Sequence, residues 1–474
     1  MLFNSIEFLF FLPIVFVLYW FVFKKTKFQN ILILIASYVF YGWWDWRFLS
    51  LIFLSTLVDY SIGLFLKKVN TIKKQRLLLF ISLIFNLGML GFFKYYNFFI
   101  DSWVQAWSNV GINMQISSLN IILPVGISFY TFQTLSYTID VYRKKLEPTK
   151  DFIAFASFVS FFPQLVAGPI ERASNLLPQF YKKRQFTYEV AATGMKLILW
   201  GLVKKVVIAD SCAVLVNSIF ENYHNESGLA LVMGAIYFAF QIYCDFSGYS
   251  DIAIGTARLF GFKLMRNFNY PYFSRDIAEF WRRWHISLST WFRDYLYIPL
   301  GGSRGTLKLK VRNVFVIFLV SGFWHGANWT FIAWGGLNAI FFLPLLLGNK
   351  NRNHLNEVSE KSIFPNFKEL AQIIFTFSLT TLAWIFFRAE TITDAFIYIQ
   401  KILDFTNFIP DVIRHKKVIP LLILFILIEW FSRKQEYAVV LDGKLRTVFY
   451  IFFSFLIMYY GSSSDKSSFI YFQF

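Results

Sequence analysis

Long apolar runs, interrupted by short basic segments, form the main pattern of this chain. The run Ile6–Phe23 carries a single charged residue, Glu7, and the runs Leu77–Phe93 and Gly228–Cys244 carry none. Each run is long enough for a helix that crosses about 30 Å of hydrocarbon. The pattern therefore predicts an all-α polytopic membrane protein.

Basic clusters between the apolar runs set the expected orientation of the helices. No Lys or Arg precedes Ile6–Phe23, and three lysines follow it in Lys24–Lys27, which is the order of a first spanning helix and not of a cleaved signal peptide. Alternating spans then place the N-terminus and the C-terminal tail 462–474 outside the cytoplasm, although this path also leaves the basic cluster 414–417 outside. The other predicted spans are 30–42, 47–66, 119–141, 313–327, 329–348, 369–387, 417–432 and 446–461.

Three aromatic or apolar regions lack the regularity of a spanning helix. Residues 95–118 carry polar side chains among the aromatic ones and predict an interfacial segment outside. Residues 152–169 contain two prolines and a glycine and lie between basic clusters, which predicts a re-entrant hairpin, and residues 245–312 alternate aromatic patches with arginines, which predicts a re-entrant region that faces the cytosol. Broken backbone is tolerated at membrane depth where it is buried in protein or lines a cavity. We therefore expect one membrane domain over residues 1–474, with re-entrant segments in its helical core.

The charge balance does not indicate nucleic-acid binding. The chain has 46 Lys and Arg against 28 Asp and Glu, but only 16% of its residues are charged and 57% are hydrophobic. The basic residues occur in short clusters between spans, so the spans leave no continuous basic face. The two cysteines, Cys212 and Cys244, have neither metal-site spacing nor a disulfide pattern, and we expect no metal.

Two of the five histidines lie in apolar, aromatic surroundings. His325 lies within the run Phe315–Trp329, where a charged side chain would cost roughly 2.5 kcal/mol or more, so an ionisable residue there indicates function. His285 lies in the segment Phe280–Trp291, which is rich in Trp and Arg. A neutral imidazole with a pKa of about 6.5 suits a general base near pH 7. The alternative for each ring is a structural hydrogen bond between helices.

Four motifs carry a resemblance to a known family. They are Trp281–His285 with Trp291–Gly302, then Gly322–Trp329, Phe162–Ile170 and Tyr243–Asp251. The first two resemble the signature of the membrane-bound O-acyltransferase (MBOAT) family, and the last two are similar to its bacterial branch of alginate and peptidoglycan O-acetyltransferase membrane subunits. The resemblance covers nearly the whole chain and implies an MBOAT-like helical core with a central funnel.

This resemblance also implies the chemistry. His325 matches the family's essential histidine, and His285 matches its second conserved polar position. Family members hold acyl-CoA from the cytosolic side, so the implied donor is acetyl-CoA, and basic residues within 275–312 would bind its phosphates. The implied reaction is O-acetylation of an extracytoplasmic polysaccharide (alginate, peptidoglycan or an exopolysaccharide) by a protein of the bacterial cytoplasmic membrane. Asp245 and Asp251 are expected to be paired structural carboxylates, as membrane carboxylates usually are.

The C-terminal segment Phe469–Phe474 has the pattern Phe-x-Tyr-x-x-Phe. Aromatic residues favour the membrane interface, so an interfacial anchor is one interpretation of this segment. The segment also resembles the terminus of bacterial systems that acylate cell-wall polymers, which implies that Tyr471 carries the acetyl group. The expected partner is an extracytoplasmic serine-esterase-like acetyltransferase, because the sequence shows no Ser-His-Asp constellation of its own.

Two other functions fit parts of the pattern. D-alanyl transfer in teichoic acid modification is the alternative within the family, but that branch usually has its tyrosine tail on a separate small peptide. A channel or transporter with a gating histidine is the non-enzymatic alternative. The absence of an internal sequence repeat weakens this alternative, because many transporter folds are duplicated.

Overall fold

The computed structural model describes residues 1–114, 116–166, 168–404, 406, 408, 418–438, 445–461 and 469–470. This part of the chain consists of helices, turns and loops and contains no β-strand, which confirms the all-α prediction. Five helical segments of this part are, by length and composition, able to cross a membrane. They are Thr26–Lys68, Ile72–Ser108, Gly228–Leu259, Trp329–Leu347 and Phe367–Arg388.

The chain divides into two compact units. The first comprises Met1–Ala192 and Thr256–Met265, and the second comprises Thr193–Gly255 and Arg266–Phe474. The α-helices in chain order are α1 (Ile6–Val17), α2 (Thr26–Asp45), α3 (Leu49–Lys68), α4 (Ile72–Leu90), α5 (Tyr96–Ser108), α6 (Ile127–Tyr142), α7 (Phe152–Ser160), α8 (Phe162–Leu165), α9 (Ala173–Leu176), α10 (Tyr188–Leu202), α11 (Asp210–Glu221), α12 (Gly228–Leu259), α13 (Ile277–Arg283), α14 (Ile286–Phe292), α15 (Leu307–His325), α16 (Trp329–Leu347), α17 (Phe367–Arg388), α18 (Ile392–Leu403), α19 (Val418–Ser432) and α20 (Leu445–Gly461).

The predicted re-entrant hairpin at 152–169 contains a broken helix buried in the first unit. Phe161 leaves the helical conformation, with ψ at 103°, and separates α7 from α8. The polar backbone groups freed by this break are bonded to buried side chains, because Gln133 Nε2 donates to the Phe158 carbonyl (2.5 Å) and the Phe162 N–H donates to Ser37 Oγ (3.0 Å). This is the condition under which irregular backbone is stable away from water.

Several boundaries differ from the sequence prediction, and α6, for example, begins at Ile127 where a span from residue 119 is predicted. Within the predicted interfacial segment 95–118, residues Tyr96–Ser108 form α5, which a π-helical turn at Gly91–Tyr95 joins to α4. The predicted irregular region 245–312 begins later than expected, since α12 continues to Leu259. Hydropathy counts each charged residue of α12 against a spanning helix, whereas inside the protein the carboxylates Asp245 and Asp251 are paired with lysines, as described below.

Helices α15 and α16 form a tight antiparallel pair in the second unit. A Cβ on Gly322 would lie 2.2 Å from the Phe331 carbonyl oxygen, and a Cβ on Gly335 would lie 2.3 Å from the Phe318 carbonyl oxygen. The backbones can approach this closely because neither glycine has a side chain. The turn between the two helices is fixed by Asn328, whose side chain accepts a hydrogen bond from the Thr330 N–H and caps α16.

Candidate active site

His325 is the last residue of α15 and lies at the corner where the chain turns into α16. Its side chain is buried, and its ring centroid lies 5.0 Å from that of Trp324, 5.1 Å from Trp334 and 5.5 Å from Phe387. Three helices, α15, α16 and α17, therefore build an aromatic wall around this imidazole. The glycine contacts between α15 and α16 bring Trp334 close enough to be part of the wall.

His285 lies between the short helices α13 and α14 and is buried as deeply. Its backbone is in the left-handed region, with φ +43° and ψ +54°, which is unusual for a residue with a side chain. Such strain costs on the order of 1–3 kcal/mol and persists where the surrounding structure fixes the backbone. Here the Ile286 N–H donates to the Asn267 carbonyl (2.8 Å) and the Asn269 N–H donates to the Arg283 carbonyl (2.9 Å), which hold both sides of the turn.

The fold brings the two histidines together although 40 residues separate them in the sequence. Their ring centroids lie 6.3 Å apart. Phe246 of α12 contacts the His285 ring at a centroid distance of 4.6 Å, and Trp324 lies 6.0 Å from it. The site is thus a pair of imidazoles in an aromatic enclosure with little access to water. His285 is outside the apolar spanning helices, and burial lowers its pKa to about 3, so the ring is neutral at physiological pH.

The shorter hydrogen-bond contact of the His285 ring is with Asn267, a residue that the sequence analysis did not single out, and the Ser287 hydroxyl lies 3.4 Å from the same ring nitrogen, Nδ1. Asn267 Oδ1 lies 3.1 Å from His285 Nδ1 and also accepts hydrogen bonds from the N–H and the hydroxyl of Ser287 (3.3 and 2.9 Å). Asn267 Nδ2 donates to Ser250 Oγ (3.1 Å). An asparagine in a loop between two aromatic segments gives no sequence signal of this role, because only the fold places it beside the histidine.

The carboxylates of α12 are paired, as the sequence analysis expected. Asp251 forms an ion pair with Lys204 (2.6 Å), and Asp245 forms one with Lys205 (2.8 Å), which also contacts Asp210 (2.8 Å). Both lysines lie in the π-helical segment Val203–Ala209 and are almost completely buried. The sequence analysis missed these lysines, although two adjacent lysines within an apolar run are a recognisable signal of buried ion pairs.

The described part of the C-terminal segment is buried beside these ion pairs. The Ile470 N–H donates to Asp245 Oδ2 (2.6 Å), and the Phe469 ring packs against Tyr249 at 4.3 Å. Phe246, which contacts His285, lies 6.1 Å from Phe469. Tyr471, the predicted acetyl carrier, lies outside the described residues.

Arginines expected to bind acetyl-CoA phosphates are already engaged within the second unit. Arg275 and Arg283 both contact the buried carboxylate of Glu279 (3.0 Å each). Arg283 also pairs with Glu357, and Arg282 donates to the carbonyl of His354 (2.6 Å). These three arginines thus hold the loop 349–366, which leaves the region around Arg304 as the more exposed basic part of 275–312.

No group of three or more His, Cys, Asp or Glu side chains that could hold a metal ion occurs among the residues that the structure describes. Cys212 and Cys244 are both buried free thiols. The two histidines at the centre of the site lie in a largely aromatic environment.

Comparison with known proteins gives the family of the chain. The model of the membrane-bound O-acyltransferase family, MBOAT, matches residues 31–347. The chain is 40% identical to the probable alginate O-acetylase AlgI of Azotobacter vinelandii, over 94% of this chain and 87% of the relative. It is 38% identical to the peptidoglycan O-acetyltransferase of Helicobacter pylori, over 83% of this chain and 78% of the relative. A teichoic acid D-alanyltransferase of Streptococcus thermophilus is 32% identical, over 48% of this chain and 57% of the relative.

The all-α architecture with its long apolar helices agrees with these similarities. The chain is a multi-pass membrane protein and belongs to the membrane-bound O-acyltransferase family.

Proposed function

We propose that this protein transfers acetyl groups from cytosolic acetyl-CoA across the bacterial cytoplasmic membrane for O-acetylation of an extracytoplasmic polysaccharide. The observation that carries the proposal is the pair of buried histidines, 6.3 Å apart, from two motifs distant in sequence. The relatives that match over most of the chain are named for acetylation of alginate and of peptidoglycan, whereas the D-alanyltransferase matches over about half of it. This difference favours acetyl over D-alanyl as the transferred group.

His325 is the proposed general base. An acceptor hydroxyl attacks the carbonyl carbon of the thioester, a new O–C bond forms, and the C–S bond to CoA breaks. His325 takes the proton of the hydroxyl and returns it to the departing thiolate, so the products are an acetyl ester and free CoA. A dry aromatic enclosure suits this step because it keeps water from hydrolysing the thioester.

Tyr471 is the proposed first acceptor of the acetyl group. The neighbouring residues Phe469 and Ile470 are buried against α12, and Phe246 of the same helix contacts His285. This arrangement supports a tail that folds back into the protein and does not merely anchor at the interface. A phenol, with a pKa of about 10, ionises more easily than a sugar hydroxyl, and its acetyl ester stays reactive enough to be passed on.

A serine-esterase-like acetyltransferase outside the cytoplasm is the proposed partner, and the polysaccharide is the final acceptor. His285 and His325 are 1% and 3% exposed. Imidazoles buried so deeply are not accessible to a polymer at the protein surface, which supports an acceptor carried by the protein's own tail. The acetyl ester on the tail would therefore need a second enzyme to transfer it to the polymer.

The test is a comparison of histidine variants in the producing cell. His325→Ala should insert into the membrane normally but abolish polymer acetylation, measured as acetate released by mild alkali, and His285→Ala should reduce it less. His354→Ala is the matched control, because this histidine lies in the loop 349–366 and is partly exposed. Wild-type acetylation in a well-expressed His325→Ala strain would contradict the proposal, and a larger loss in His285→Ala would reverse the two roles.

The channel or transporter alternative predicts a different outcome. A gating histidine would affect passage of a solute, but purified protein would not convert acetyl-CoA to free CoA. Release of CoA by the wild type, and its loss in His325→Ala, would therefore exclude a purely non-enzymatic function.

A further inference from the structure

Asn267 makes three hydrogen-bond contacts at the buried turn that carries His285. We propose that Asn267 is a positioning residue that fixes His285 in the tautomer with its proton on Nδ1. The consequence for turnover rests on the proposed function, whereas the tautomer itself follows from the hydrogen bonds. The free nitrogen, Nε2, then serves as the hydrogen-bond acceptor that holds the reacting hydroxyl beside His325.

The orientation of the Asn267 amide is fixed by a backbone group. The Ser287 N–H can only donate, and it points at the Asn267 side-chain atom 3.3 Å away, so that atom must be the oxygen. The amide nitrogen then faces Ser250 Oγ at 3.1 Å, which can accept its hydrogen bond. Both ends of the amide are therefore bonded in one orientation, and a flipped amide would place two donors against each other.

The amide oxygen in turn selects the histidine tautomer. His285 Nδ1 lies 3.1 Å from Asn267 Oδ1, which carries no proton, so Nδ1 must be the donor. In a neutral imidazole the other nitrogen, Nε2, then carries the lone pair. Nε2 is buried and forms no hydrogen bond with any residue that the structure describes. An acceptor held in a dry site without a bonding partner is suited to a substrate hydroxyl.

Besides Asn267, Ser287 places a polar side chain near His285 Nδ1. Its hydroxyl lies 3.4 Å from Nδ1 and itself donates to Asn267 Oδ1 (2.9 Å). The rings that pack against His285 come from α12, from residue 268 and from the end of α15, and they are Phe246, Phe268, Trp324 and His325. The backbone hydrogen bonds on both sides of the turn hold the backbone of His285 next to Asn267, and the four packed rings enclose the imidazole.

The tautomer can be observed directly in the full-length protein. With five histidines in the chain, ¹⁵N-histidine labelling gives few signals, and His285→Ala identifies the one from residue 285. We expect a fixed Nδ1–H tautomer in the wild type and a mixture of tautomers in Asn267→Leu. A fixed Nε2–H tautomer in the wild type, or a spectrum unchanged in Asn267→Leu, would overturn the inference whether or not the protein acetylates a polymer.

The kinetic test uses acetyl-CoA and measures the rate of the first release of free CoA per chain, because the proposed tail accepts one acetyl group before a partner removes it. Asn267→Leu removes the acceptor and should lower this rate by about tenfold or more, with little change in the acetyl-CoA concentration that gives half the maximal rate. Asn338→Leu is the matched control, because Asn338 is also buried in the second unit but donates only to the Trp334 carbonyl of its own helix. We expect Asn338→Leu to retain the wild-type rate.

Asn267→Asp separates positioning from a merely structural role. The carboxylate still accepts from Nδ1–H, but its charge should raise the pKa of His285, so protonated Nε2 can no longer accept a hydrogen bond at low pH. Because burial holds the pKa of His285 at about 3 in the wild type, the rise is measured on the ¹⁵N signals of residue 285, whose titration should move to higher pH by about one unit or more in Asn267→Asp. An unchanged titration of these signals would overturn the positioning role. If the wild type released no CoA at all, the proposed function would fail, while the tautomer measurement would still decide the inference.

Discussion

At the scale of single residues, the sequence shows which residue types form the site, but it does not show which side chains surround them. His325 is recognisable because an ionisable residue in an apolar run is uncommon. Its neighbours Trp334 and Phe387 come from two other helices, and no local pattern predicts that they enclose the ring. The same holds for Asn267, whose role follows from three contacts across a turn.

The carrier role of Tyr471 is the prediction that belongs to this scale. Tyr471→Phe keeps almost all of the hydrophobic surface of the tail and removes only the hydroxyl, so it separates carrying acetyl from anchoring the tail. We expect Tyr471→Phe to lose acetylation as completely as His325→Ala. Mass spectrometry of the wild-type C-terminal peptide should find an acetyl group during turnover. Full activity of Tyr471→Phe would leave a sugar or a partner serine as the direct acceptor.

At the scale of helices, the second unit is held by buried ion pairs. Lys205→Met leaves Asp245 and Asp210 buried without this cation, and loss of one partner of a buried pair costs about 3–5 kcal/mol. We therefore expect a clear drop in the unfolding temperature in detergent. The matched control is Lys67→Met, because the ion pair of Lys67 with Glu147 is exposed and such pairs contribute at most about 1 kcal/mol. Equal stability of both variants would contradict this account.

The packing of α15 against α16 gives a second test with an adjacent control. A Cβ at Gly335 would meet the Phe318 carbonyl at 2.3 Å, whereas a Cβ at Gly336 would meet only a Leu319 methyl group at 3.8 Å. We expect Gly335→Ala to destabilise the protein by about 1–3 kcal/mol through overpacking. Gly336→Ala should be neutral or stabilising by up to about 1 kcal/mol, because alanine favours helix. The measurement is the unfolding temperature of each variant. A lower unfolding temperature for Gly336→Ala than for Gly335→Ala would contradict the packing argument.

At the scale of the whole molecule, the orientation in the membrane remains a prediction from the basic clusters. Both termini are expected outside the cytoplasm, since Lys24–Lys27 follows the first apolar run and the last span leads to the tail. A reporter that is active only in the cytosol should be silent when fused after residue 474, and one active only outside should give a signal. A cytosolic signal at that position would contradict this orientation. It would also contradict the proposal that Tyr471 carries the acetyl group to an acceptor outside the cytoplasm.

The sequence by itself determined the class of the protein and the residues to examine. Apolar runs predicted the helices, because a helix in lipid must bond its own backbone and therefore needs a long uninterrupted apolar segment. The motifs indicated His285 and His325. Only the tertiary structure decided which charged and polar groups pair with each other inside the protein. α12 continues past Asp245 because Lys204 and Lys205, from another helix, neutralise its carboxylates.

The tautomer of His285 shows the same limit at the smallest scale. The sequence identifies residue 285 as a histidine, and either ring nitrogen of an imidazole can carry the proton. The choice between the two nitrogens depends on Asn267, which lies 18 residues earlier in the chain, and on a Ser287 N–H that fixes the amide. Such hydrogen bonds weaken when the distance between donor and acceptor changes by a few tenths of an ångström, and here the two atoms belong to residues far apart in the sequence. Only the folded chain sets those distances.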